Sequence, residues 1–209
     1  MAITIEQIKQ LREETGAGVL DCRKVLEQAD GDFARAVEIL REKGLAKAAK
    51  RADRETFEGV LDLYSHGNGR VGVMVEVNSE TDFVARSQAF RTFAHEVALQ
   101  IAAAAPRYIR PEDIPAEVLE GEKQKAQARA LEEGKAEKVI DRIVEGRLAK
   151  FLDDVCLLRQ VYVRDENLTI EKLLHQNVAA VGENIVIRRF VRWEVGEQII
   201  AAEQTAPAE

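Results

Sequence analysis

Three groups of residues in this 209-residue chain have types and spacing that invite a chemical reading. Gly67-Asn68-Gly69-Arg70-Val71-Gly72 has the G-x-G-x-x-G lettering of a dinucleotide-binding turn. That turn works by opening a helix, whose first N–H groups then meet a pyrophosphate. Here Val71, Val73, Val75 and Val77 alternate with Gly72, Met74, Glu76 and Asn78, the period of a strand. The glycines are therefore read as the turn of a β-hairpin.

His95-Glu96 begins like the zinc-protease pattern H-E-x-x-H, but position 99 is Leu99. His66 and His175 fall in a turn and a second helix, without the company that acid–base catalysis needs. No G-x-x-x-x-G-K-[ST] loop is present. Cys22 and Cys156 lie far apart and read as small buried apolar groups of a reducing compartment. The expectation is no metal, no cofactor, no catalytic residues and no enzyme.

Thr81-Asp82-Phe83-Val84 is the third group. Phe83 stands seven residues before Phe90, so helix periodicity could place it in the core. It could equally be an exposed aromatic knob at a helix terminus, with Asp82 as a polar neighbour. Burying such a knob against a partner is worth about 1.5–3 kcal/mol. The pattern leaves both readings open.

The elements that must position these residues follow from hydrophobic period and punctuation. Thr4 with Gln7 forms a capping box for a first helix carrying Ile5, Ile8 and Leu11 up to Gly16. Cys22, Val25, Leu26 and Ala29 share one face of a second helix, which ends at Gly31. Asp32 caps a third, with Phe33, Val37 and Leu40 inward and Gly44 as its stop. Residues 1–45 thus form a three-helix docking unit. Residues 46–55, with Lys47, Lys50, Arg51 and Arg54, form a basic helical linker.

An α+β core spans 56–202. It holds strands from Val60 to Ser65 and Val71 to Asn78, and a long helix after Asp82-Phe83 with Phe90, Phe93, Ala94, Val97, Ala98 and Ile101 inward, up to Pro106. Two helices follow: the far more polar one from Ala116 to Glu133 reads as projecting from the body, and the one from Lys135 to Phe151 carries a stripe of Ile140, Ile143, Val144, Leu148 and Phe151. A strand from Val155 to Val163, a helix from Thr169 to Gly182 and a strand from Asn184 to Glu194 complete the core. The sheet is small and antiparallel, of about three strands. Residues 203–209 are expected to be a disordered tail.

Composition narrows the class of function. The net charge of −7 and pI near 5.2 oppose RNA phosphates, so RNA binding through the Lys47 to Arg54 linker is the weaker alternative. A hydrolase built on the acidic helices would need a convergent acid–base site, which the spacing does not supply. Met1-Ala2-Ile3-Thr4 lacks a signal pattern and no apolar run nears a membrane span of about 20 residues, so a cytoplasmic protein is expected.

Four ordered segments carry a resemblance. Leu11-Arg12-Glu13-Glu14-Thr15-Gly16-Ala17-Gly18-Val19-Leu20-Asp21-Cys22-Arg23-Lys24 and Val75-Glu76-Val77-Asn78-Ser79-Glu80-Thr81-Asp82-Phe83-Val84-Ala85-Arg86 are the first two. Val144-Glu145-Gly146-Arg147-Leu148 and Val181-Gly182-Glu183-Asn184-Ile185-Val186-Ile187-Arg188-Arg189-Phe190 follow. Together they resemble the bacterial translation elongation factor Ts family over almost the whole chain.

The resemblance implies an N-terminal domain like the ubiquitin-associated fold, joined to the α+β core. It implies guanine-nucleotide exchange on the GTPase elongation factor Tu, without direct nucleotide binding by this chain. Thr81, Asp82, Phe83 and Val84 would disturb the partner's magnesium site, with Phe83 wedged between helices of the GTPase domain. Val19 and Leu20 would be the contact of the N-terminal domain, and Val181 and Gly182 a second contact of the core. Longer family members duplicate the core, whereas this chain has one copy. The resemblance therefore implies a homodimer joined through its sheets and a 2:2 complex with the GTPase. Val191 stands where some short relatives have cysteine, so no intersubunit disulfide is expected there.

Overall fold

The computed structural model describes residues 3–15 and 17–197, except the side chains of 45, 47–49 and 137. The expected tail at 203–209 lies outside the described residues. Three helices lead: α1 (Ile5–Thr15), α2 (Val19–Gln28) and α3 (Phe33–Ala49). Thr4 and Gln7 cap α1 reciprocally, each backbone N–H donating to the other's side chain at 3.0 and 3.2 Å. Asp32 caps α3 by accepting from the Arg35 N–H at 3.1 Å. Leu11, Cys22, Val25, Leu26, Ala29, Ala36, Val37 and Leu40 fill the small core between them.

Gly44 does not end α3, contrary to the sequence expectation; the helix runs on to Ala49, and only residues 50–53 form turns. The glycine serves close packing instead. α3 lies along α8 (Ile170–Val181), and a β-carbon built on Gly44 would stand 3.2 Å from that of Ala179. Even a methyl group there would be in tighter than ordinary contact, so Ala179 would have to give way. The linker expected at 46–55 is thus helical only in its first part.

The main sheet is antiparallel in the order β1 (Glu58–His66), β2 (Val71–Ser79), β5 (Ile185–Glu194). Gly67, Asn68 and Gly69 all have positive φ, +60°, +55° and +84°, and they turn β1 into β2 with no helix following. Val71, Val73, Val75 and Val77 point inward against Phe90, Phe93, Ala94, Val97, Ala98 and Ile101 of α5 (Gln88–Ala104). This is the period-two face meeting the 3.6-period stripe. Gly59 permits a tight approach of β1 to β2, because a β-carbon there would fall 2.2 Å from the Val77 carbonyl oxygen.

The long helix expected after Asp82-Phe83 is two helices. α4 (Asp82–Ala85) is one turn, and Ser87 caps α5 anew by accepting from the Phe90 N–H at 3.3 Å. That break resets the helical register between Phe83 and Phe90.

α6 (Ala116–Glu132) and α7 (Glu137–Val155) form a hairpin with a minor core of its own, Ala126, Ala130, Ile140 and Val144. The single strand expected from Val155 to Val163 is absent. Val155 finishes α7, Cys156 makes one isolated bridge to Tyr108, and Leu157–Arg159 is a 3-10 turn. Only β3 (Val161–Tyr162) pairs with β4 (Asp165–Thr169). The apolar run misled because its residues serve three places: Leu157 is fully buried in the main core, while the Gln160 side chain bonds the Ala104 and Asp154 carbonyls. The fold class is α+β, with a three-stranded antiparallel sheet as its centre.

Candidate partner-binding site

Thr81 begins the site. Its extended backbone (φ −128°, ψ 155°) is that of an N-cap, and its hydroxyl accepts from the Val84 N–H at 3.4 Å. The Ser79 hydroxyl donates to the Thr81 carbonyl at 3.0 Å from the fully buried end of β2. Val84 and Ala85 sink into the main core, so the turn is pinned by its second half. Phe83 points the other way and is 82 % exposed. The alternative that Phe83 belongs to the core is excluded, since one turn can bury only one side and Val84 and Ala85 occupy it. Asp82, beside it, pairs with Arg86 one turn on at 2.9 Å.

Val181 and Gly182 close α8. Val181 packs half-buried on the main core, and Gly182 takes φ +81°, where only glycine is unstrained, so that its N–H meets the Val178 carbonyl. The two segments meet through residues that the sequence did not single out for a role. Glu183 accepts from Thr81 twice: from the backbone N–H at 3.0 Å and from the hydroxyl at 2.7 Å. Glu80 reciprocates, accepting from the Asn184 N–H at 2.6 Å. It also takes Arg54 Nη1 at 3.1 Å. The buried Asn184 amide donates to the carbonyls of Arg54 and Ala52 at 2.8 and 3.3 Å.

Three stretches far apart in sequence, 51–54, 80–84 and 181–184, are thereby fastened into one surface. Burial alone would raise the Glu80 carboxyl, but the Asn184 N–H and Arg54 more than offset it and hold it below the usual glutamate value. Arg51 Nη1 lies 3.7 Å from where a β-carbon on Gly182 would be, buried and without a hydrogen-bond partner. The basic linker is thus partly committed to this junction.

Val19 and Leu20 stand apart. They open α2 behind Gly18, outside the three-helix core, and Leu20 is 72 % exposed. Among the described residues no hydrogen bond joins them to either core segment.

The geometry offers aromatic and aliphatic knobs on rigid supports. The chain is similar to a family whose sequence model, described as Elongation factor TS, matches residues 20–197. It is 57 % identical to an elongation factor Ts from Caldanaerobacter subterraneus subsp. tengcongensis, over 94 % of this chain and 98 % of that protein. The chain belongs to the elongation factor Ts family. Elongation factors Ts from Carboxydothermus hydrogenoformans and Moorella thermoacetica are 52 % and 50 % identical, covering 99 % and 97 % of this chain. These elongation factor Ts relatives have about its length, since it spans 95 % and 100 % of the two. Glu80, Arg54, Glu183 and Asn184 were not picked out because their pairings reach from 26 residues (Arg54–Glu80) to about a hundred or more and have no short-range signature.

Proposed function

We propose that this chain binds elongation factor Tu carrying GDP and speeds GDP release by disturbing the magnesium and phosphate site. Membership of the elongation factor Ts family makes it a translation elongation factor; the residue roles are the proposal. The observation that carries it is Phe83, 82 % exposed on a helical turn held rigid by its cap and by two buried neighbours. An aromatic ring costs free energy in water unless a partner covers it, and rigid aromatic anchors dominate interface energies.

Phe83 wedges between helices of the GTPase domain, with Thr81, Asp82 and Val84 as its immediate setting. Asp82 exchanges its bond to Arg86 for polar contacts there. Val181 and Gly182 supply a second contact and Val19 and Leu20 a third. No covalent step by this chain is needed, so it is not an enzyme in the bond-making sense. A magnesium ion is a large local charge, and moving it weakens GDP binding steeply. Coupling is reciprocal, so GDP weakens this chain's own binding by the same factor.

The chain acts as a homodimer in the cytoplasm, forming a 2:2 complex. The sheet face turned away from α5 supports this reading. Leu63, Met74 and Val191 lie in register across all three strands. Leu61 and Trp193 flank that row, and Trp193 is 76 % exposed. Such a face in water favours a second copy. RNA is disfavoured, since Arg54 is paired with Glu80 and the net charge is −7.

Release of a fluorescent GDP analogue from elongation factor Tu tests the function directly. Acceleration at micromolar chain is expected, and an unchanged release rate would refute it.

A further inference from the structure

We infer that Glu183 is a positioning residue for exchange: its carboxylate sets the angle at which α4 presents Phe83, relative to the Val181-Gly182 contact. The inference rests on the exchange reading above.

Thr81 is the hinge of the segment. It leaves the sheet at Ser79 and starts α4, so rotation about Thr81 swings the Phe83 ring as a lever. Val84 and Ala85 hold the far end of the turn in the core, and Ser79 holds the Thr81 carbonyl. The Thr81 N–H and hydroxyl hydrogen both go to Glu183, at 3.0 and 2.7 Å, one to each carboxylate oxygen. Two bonds from one carboxylate to one residue fix an orientation as well as a distance. The same hydroxyl oxygen accepts from the Val84 N–H, so Glu183 also orients the cap.

Glu183 itself has little freedom. It follows the left-handed Gly182, and Asn184 after it is locked by Glu80, Ala52 and Arg54. The rigid end of α8 therefore acts on Phe83 through Thr81. Glu183 need not touch the GTPase at all.

Stopped-flow release of the fluorescent GDP analogue from elongation factor Tu, measured to saturation in chain, separates this from other roles. Glu183→Ala removes both bonds and lowers the maximal release rate about tenfold, the size expected for charge-assisted bonds. Glu183→Gln restores most of the rate, because its carbonyl accepts from the Thr81 N–H and its amide donates to the Thr81 hydroxyl. In the Phe83→Ala background, Glu183→Ala costs little more, since the orientation of a missing ring is immaterial. On the isolated chain, amide hydrogen exchange at Val84 and Ala85 quickens about tenfold in Glu183→Ala, while the α5 amides keep their protection.

An unchanged maximal rate with a raised half-saturating concentration, fully additive with Phe83→Ala, would make Glu183 a direct contact and overturn the proposal. So would unaltered amide exchange at Val84 and Ala85. If the unmodified chain fails to accelerate release, the exchange reading falls; the amide-exchange result still decides whether Glu183 orders α4.

Discussion

Replacing Phe83 by alanine separates function from stability sharply. The ring is 82 % exposed and belongs to no core cluster, whereas its neighbours Val84 and Ala85 do. Its removal deletes surface that faces water in the free chain. Stability should change by no more than about 0.5 kcal/mol, as at other open surface positions. Against the partner the balance differs. A phenylalanine side chain fully covered in a complex contributes about 2–3 kcal/mol. That corresponds to a loss of about 30- to 150-fold in the second-order rate of catalysed GDP release.

The assay is analogue release from elongation factor Tu over a range of chain concentrations, with a urea melt of the variant alongside. Release within about twofold of the parent would refute the wedge. A stability loss of about 3–5 kcal/mol, the usual result for phenylalanine deleted from a core, would refute the exposed placement of the ring.

Other substitutions test the remaining surfaces. Trp193→Glu puts a charge on the open sheet face beside the Leu63–Met74–Val191 row, and sedimentation equilibrium should show monomers where the parent chain shows dimers. Leu20→Ser, outside the three-helix core, should raise the concentration needed for half-maximal exchange about three- to tenfold and leave thermal stability unchanged. Glu80 has a pH signature. Its folded-state value is lowered from 4.5, so its stabilising effect is present above that value and is lost as pH falls through the lowered one. The urea midpoint of the parent should exceed that of Glu80→Gln at pH 7, with the gap closing below about pH 4.5.

Much of the fold was legible because the local signals agree with the tertiary ones. The Val71 to Val77 alternation became β2, and the Phe90 to Ile101 stripe became the α5 face that covers it. Caps were also readable, as at Thr4-Gln7 and Asp32. Failures came where one letter serves two physical ends. Gly44 has the look of a helix stop, yet its missing side chain is used by Ala179 across the α3–α8 contact. Val155 to Val163 reads as one apolar run, yet its residues divide among the end of α7, the main core and a short hairpin. Period and composition cannot show which neighbour a residue will have.

The site divides in the same way. Thr81 to Val84 could be picked out from an aromatic residue at a strand–helix junction, but its exposure could not be decided, because the spacing to Phe90 left burial open as well. Only the restart of the helix at Ser87 breaks that spacing. The residues that stiffen the site were less legible still. Glu80 with Asn184, and Thr81 with Glu183, cross about a hundred residues, and each looks alone like an ordinary solvated polar group. Their pairing has a consequence for the mechanism. A knob on a loose loop would lose on binding the ordering entropy that a fixed one has already lost on folding, roughly 1–2 kcal/mol per backbone residue. On the exchange reading proposed above, with α4 already fixed by Val84, Ala85 and Glu183, more of the binding energy of Phe83 would remain to act against the partner's grip on magnesium and GDP.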